Sequence, residues 1–178
     1  MGKTAFMIID VQEAMYSYSN KYPFQGTQVL DNIKVLLEKA RATGTPVVYI
    51  QHTDADEYEK GTPTWQICAE IKPMDGEAIV EKPTWDAFHK TNLNEVLQGL
   101  GITKLIIAGM QTEFCVDTTC RRTFSMGYDA ILVEDAHTTF SSDMLSGGQI
   151  VEHHNEVLGN RFVKLKTTQE ILNANFAI

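Results

Sequence analysis

Residues 105–127, LIIAGMQTEFCVDTTCRRTFSMG, pass from a buried strand into a helix within a few positions. Leu105 to Ile107 form an apolar strand core, and Ala108 and Gly109 then permit a tight turn. From about Phe114 the pattern becomes helical, and Gly127 ends it. Cys115 stands at this junction. A helix N-terminus presents unpaired N–H groups that favour a thiolate, so the position suits a nucleophile. The expectation is a thiol that reacts well below pH ~8.5, where an ordinary cysteine titrates.

Outward from this junction the chain alternates short apolar strands with amphipathic helices. Strands are predicted over residues 4–9, 46–50, 78–80, 104–108, 130–133 and 162–165. Helices are predicted over 27–41, 92–100, 114–126, 146–158 and 167–173. Asn92 with Glu95, and Thr167 with Glu170, have the spacing of capping boxes. Residues 55–72 are polar and read as a surface excursion. This alternation predicts an α/β three-layer sandwich, Rossmann-like, with a mostly parallel sheet of about six strands. Six strands are too few for an eight-stranded barrel. No repeat or linker divides the chain, so residues 1–178 read as a single domain.

Composition narrows the partners. The 178 residues carry a formal charge of −8, which disfavours nucleic acid and anionic membranes. No apolar run approaches the length of a membrane span, and the N-terminus lacks signal-peptide architecture. Three cysteines without regular spacing give neither a disulfide framework nor a metal pair. The expectation is a cytoplasmic protein acting on a small molecule, with no cofactor.

Ligands of open parallel sheets bind beyond the carboxyl ends of the strands. Asp10 follows the first strand, Lys82 follows the third, and Cys115 begins the helix after the fourth. A carboxylate can take a thiol proton, and a lysine beside both favours the two anions. Around them stand IIDVQ at Asp10, EKPTWDAF at Lys82, AGMQTEFCVDTTCRRTFSMGY at Cys115 and VEDAHTT at residues 133–139.

These motifs, in this order from about Ala5 to Leu165, resemble the isochorismatase-like family of cysteine hydrolases, which includes the nicotinamidases. The resemblance implies Cys115 as nucleophile, Asp10 as general base and Lys82 as their electrostatic partner. It also implies a cis bond at Met110–Gln111. That bond would aim the Gln111 and Cys115 backbone N–H groups at a developing oxyanion. Gln12, Phe24, His52, Trp65, Trp85 and Met110 are candidates for the substrate pocket, and Tyr16, Tyr18 and Tyr22 for a lid. Family members that cleave the vinyl ether of isochorismate commonly lack the cysteine. Its presence here favours hydrolysis of a C–N bond through an acyl-enzyme. The alternatives are isochorismatase-type ether hydrolysis and a non-catalytic binding homologue. Nicotinamidases carry an Asp-x-His metal unit after the second strand. Here Gln51 stands in place of that Asp, so no catalytic metal is expected. Asp54, Asp56 and Glu57 read as a solvated acidic loop, and His153 and His154 as surface or interface residues. Cys120 reads as a buried structural thiol on another face of the helix. The family commonly forms homodimers or larger homo-oligomers, and the same is expected here.

Overall fold

A computed structural model of the chain describes residues 2–16, 21–159 and 161–177. Six strands form one sheet: β1 (Lys3–Ile9), β2 (Val47–His52), β3 (Ala78–Lys82), β4 (Ile102–Met110), β5 (Asp129–Thr138) and β6 (Lys164–Lys166). Every pairing is parallel and the spatial order is β3-β2-β1-β4-β5-β6. The order reverses direction between β1 and β4. A crevice opens at such a switch point, outside the strand carboxyl ends.

The apolar runs in β1 and β4 reflect burial on both faces, with successive side chains pointing oppositely. Ala5, Met7 and Ile9 share one core with Leu105 and Ile107, and Phe6 and Ile8 share the other with Ile106 and Ala108. The helices are α1 (Glu13–Tyr16), α2 (Gly26–Thr43), α3 (Leu93–Gly99), α4 (Asp117–Ser125), α5 (Gly147–Leu158) and α6 (Thr168–Asn173). The first core is closed by Leu93 and Leu97 of α3, Cys120 of α4 and Leu158 of α5. The second is closed by the stripe Val29, Ile33, Leu36, Leu37 and Ala40 of α2, with Ile171 of α6. Full burial of each large aliphatic side chain contributes roughly 1.5–3 kcal/mol.

Local details depart from the sequence expectations. Gly109 is no turn: it lies inside β4, with φ +128°, beside a register shift against β5. A Cβ there would sit 2.1 Å from the Ile9 carbonyl oxygen, so glycine is required for β1 and β4 to approach. Asn92 makes no side-chain cap, and the Thr91 hydroxyl accepts from the Leu93 N–H instead. The Thr167–Glu170 capping box is formed, as is a Ser146–Gln149 box at α5. The excursion over 55–72 is not confined to the surface, because Tyr58, Cys68 and Ile71 are buried in it. It is knitted to the exit of β1 through Cys68 N to Val11 O and Glu13 N to Gln66 O. Among the described residues, no helix is long and apolar enough to cross a membrane.

Candidate active site

Three strand ends meet at the switch point. Asp10 leaves β1 with φ +51°, a left-handed conformation that costs most L-residues ~1–3 kcal/mol. Its N–H bonds to the Ile50 carbonyl, which fixes its place beside β2. Lys82 is the last residue of β3, an edge strand, and is 0% exposed. Its Nζ lies 2.7 Å from Asp10 Oδ2 and 3.2 Å from Cys115 Sγ. The same ammonium lies 2.9 Å from the Thr84 carbonyl oxygen and 3.2 Å from His52 Nδ1. Burial alone would lower the Lys82 pKa, but the Asp10 and Cys115 charges outweigh it and hold the amine protonated.

Four acceptors therefore surround three N–H bonds. An ammonium has no lone pair, so His52 must turn an unprotonated Nδ1 toward it. Its ring proton is then on Nε2, 3.7 Å from Asp54 Oδ2. Burial and the Lys82 charge depress the His52 pKa, favouring this neutral form. Gln12 holds the His52 backbone from both sides, accepting from its N–H at 2.8 Å and donating to its carbonyl at 3.0 Å.

Cys115 sits in a π-helical turn, Thr112–Val116, and α4 begins only at Asp117. The expected α-helical N-terminus at the thiol is thus replaced by a wider turn. Burial and the Asp10 charge push the Cys115 thiol well above its ordinary range, and Lys82 opposes them only in part. Burial and Asp10 thus work against the thiolate that the sequence leads one to expect, and Lys82 works for it. The peptide bond Met110–Gln111, immediately before the turn, is cis. The turn is held from behind by His137 on β5, whose Nδ1 is 2.9 Å from Thr112 Oγ1 and whose Nε2 is 2.9 Å from Asn155 Oδ1 on α5. Cys120 faces the core, fully buried.

A cavity of about 140 Å³ opens over Cys115 and Asp10. Of the six pocket candidates, His52 and Trp85 line it. The other four are placed elsewhere. Met110 ends β4 wholly buried and packs with Ala14, Met15 and Tyr58. Gln12 is buried and spent on backbone groups of His52 and Trp65. Trp65 donates from Nε1 to Thr53 Oγ1, and its carbonyl collects the Gln12 and Gln51 side-chain amides. Phe24 lies across Gly147 and Gly148 at the start of α5. The walls that sequence reasoning did not assign are Met15, Glu57, Tyr58 and Phe114, and Gln111 stands beside them. All four come from loops, α1 or the π turn, where no periodicity marks direction. Tyr16 and Tyr22 do not line this cavity, and Tyr18 lies outside the described residues. In the acidic loop, Asp54 Oδ1 accepts from the Asp56 and Tyr58 N–H groups, so this carboxylate organises the loop. His153 is exposed, and His154 Nδ1 lies 3.1 Å from Asp117 Oδ1.

Comparison with known proteins agrees with this architecture. The isochorismatase domain family model matches residues 4–165. A streptothricin hydrolase of Streptomyces noursei is 33% identical over 138 residues, covering 76% of the chain and 50% of that relative. The chain thus spans about half the length of that relative. The ureidoacrylate amidohydrolase RutB of Agrobacterium fabrum is 27% identical, over 81% of the chain and 79% of RutB. Among solved structures, an isochorismatase from Pseudomonas putida KT2440 superposes with a TM-score of 0.88 at 29% identity, covering 94% of this chain and 89% of that one. A strand order that puts Asp10, Lys82 and Cys115 on one edge, and a family match across all six strands, lead to one placement: the chain belongs to the isochorismatase family of hydrolases.

Proposed function

We propose that this protein is a cysteine hydrolase of C–N bonds, acting on a small amide-like substrate through a covalent acyl-enzyme. The observation that carries the reading is the Lys82 ammonium set 2.7 Å from the Asp10 carboxylate and 3.2 Å from the Cys115 sulfur, at the floor of a small cavity. The similarity to an amidohydrolase supports the bond class.

Asp10 Oδ2 faces Lys82 at 2.7 Å, and Asp10 lines the cavity together with Cys115. A buried carboxylate beside a thiol is well placed to receive its proton. In the first half-reaction the Cys115 proton passes to Asp10 as sulfur attacks the carbonyl carbon. The oxyanion is taken by the backbone N–H groups of Gln111 and Cys115. Asp10 then returns the proton to the leaving nitrogen, the C–N bond breaks, and a thioester remains. In the second half, Asp10 removes a proton from water, hydroxide adds to the thioester, and the acid leaves as Cys115 regains its proton. Lys82 keeps its own proton throughout and offsets each successive anion. In this order deprotonation and attack are concerted, with substrate already in place.

Replacing Cys115 with alanine tests the reading. Turnover of the amide substrate is expected to fall to background while the fold is retained. Mass spectrometry of quenched wild-type enzyme should show the acyl adduct, absent from C115A. Cysteine-independent turnover would overturn the covalent step and point to ether hydrolysis of the isochorismatase type.

A further inference from the structure

The charges around the cavity restrict what the substrate carries besides its scissile bond; this inference rests on the amidase reading above. Lys82 is the cation beneath the pocket, and its three N–H bonds already face four acceptors: Asp10, Cys115, His52 and the Thr84 carbonyl. Nothing is left over for a substrate carboxylate. His52 is held neutral by the same contact. The carboxylates among the walls are Asp10 and Glu57, and among the described residues no Arg or Lys side chain lines this cavity. Glu57 is exposed, and no ion pair involving it is present among the described residues. It lines the same cavity as the aromatic residues Tyr58, Trp85 and Phe114, and aromatic faces attract cations.

A second chamber of about 240 Å³ adjoins the first and shares Met15, Glu57, Tyr58 and Gln111 with it. Glu57 is thus one of the four residues that line both. Lys21 lines the outer chamber only. At about 140 Å³ the inner space admits the reacting group and a few further atoms, well below the ~300 Å³ of pockets that enclose drug-sized ligands. The rest of any larger substrate lies outside this space, where Glu57 is one of the lining residues.

We propose that the substrate is a cationic amide, with a protonated amine or comparable cation set against Glu57 and its scissile carbonyl at Cys115. Amides bearing a carboxylate at that distance are disfavoured, because Glu57 and Asp10 repel it and, among the described residues, no Lys or Arg lines the inner cavity.

The test compares pentanamide, 5-aminopentanamide and glutaramate, which share a chain length and differ in terminal charge, together with the matching series that carries the charge on the amide nitrogen. In one series or the other, kcat/KM for the amine should exceed that for the carboxylate by about tenfold or more, mostly through KM. Glu57→Gln should bring the ratio close to one, and Glu57→Lys should invert it. A carboxylate preference in the wild type, as expected if Lys21 governs selection, would overturn the proposal. So would an amine preference that survives Glu57→Gln. Should no compound be hydrolysed, the amidase reading is what suffers, and calorimetric binding of the same compounds to C115A decides the present question. Tighter binding of the amine that disappears in C115A/E57Q supports it, and equal binding of amine and carboxylate, or no binding of either, rejects it.

Discussion

At the scale of single residues, His52 has a role that its position in the sequence does not disclose. It reads there as one histidine without a neighbour, and in the fold it becomes an acceptor that steers the buried ammonium. Protonating the ring would place an N–H against the Lys82 Nζ and turn an attraction into a repulsion. The charged groups around it are Lys82, Asp10 and Asp54, with Tyr58 against its ring edge. Because burial and Lys82 lower its pKa, the neutral form persists below the ordinary value of 6.5 and is lost only as pH falls further. Activity should therefore hold at neutral pH and drop on the acid side. His52→Phe should cost up to about 100-fold in kcat by misplacing Lys82, and should also remove that part of the acid limb which belongs to His52. An unchanged kcat–pH profile in the variant would refute the assignment. Asp10, Lys82 and Cys115 were legible in the sequence because each follows a clear apolar strand. Met110 and Gln12 were misread as pocket walls because a side chain at a strand end faces either core or crevice, and the sequence alone does not say which.

Among the elements, the π turn over Thr112–Val116 matters most, and the sequence showed only a helix there. What distinguishes the two is tertiary: Thr112 is anchored to His137 on β5, and His137 in turn to Asn155 on α5. Contacts of this kind between remote strands and helices leave no periodic trace. Burial holds His137 neutral and pushes its pKa from 6.5 down to about 4. Asn155, His154 and Asp135 are the polar and charged groups that act on it. Between these pH values the unfolded chain binds the proton and the folded chain does not, so stability rises with pH across that window. His137 should contribute fully above pH ~6.5, and about 3 kcal/mol should be lost on descending to pH ~4. Urea titrations from pH 7 to pH 4 would measure it, with His137→Gln flattening that share of the slope. A variant whose pH dependence matched the wild type would exclude His137 as the source. Most strands and the long α2 and α5 were read to within two residues of their ends, since their apolar repeats are decided by burial, whereas β5 runs on to Thr138, five residues past the expected 133. The short α1 and the Ala69–Ile71 turn were missed, because three or four residues carry no period.

For the whole molecule, the site lies open beside aromatic surface. Trp85 is 60% exposed and Phe114 is 47% exposed, and both line the cavity. Large exposed aromatics at a pocket mouth are better covered than solvated. We expect the protein to assemble as a homo-oligomer in solution, with a neighbouring subunit approaching this rim. Light scattering at micromolar concentration checks it, and an active monomer would reject it. The sequence suggests this through family resemblance and through the aromatic segments around Tyr16 to Phe24 and Trp65, but surface aromatics and core aromatics look alike in a string of letters.

The placement of Lys82 on β3 carries one more consequence. β3 has five residues and a single hydrogen-bonded neighbour, β2, whereas β1 and β4 are enclosed on both sides. The ammonium on which both anions depend is thus mounted on the margin of the sheet, where partial opening requires the least free energy. The chain should lose its chemistry before it loses its shape. In a guanidinium titration, turnover is expected to vanish at concentrations where far-UV circular dichroism is still native. Amide hydrogens of β3 should exchange faster than those of β1. Coincident loss of activity and structure would mean that the margin is as firm as the centre.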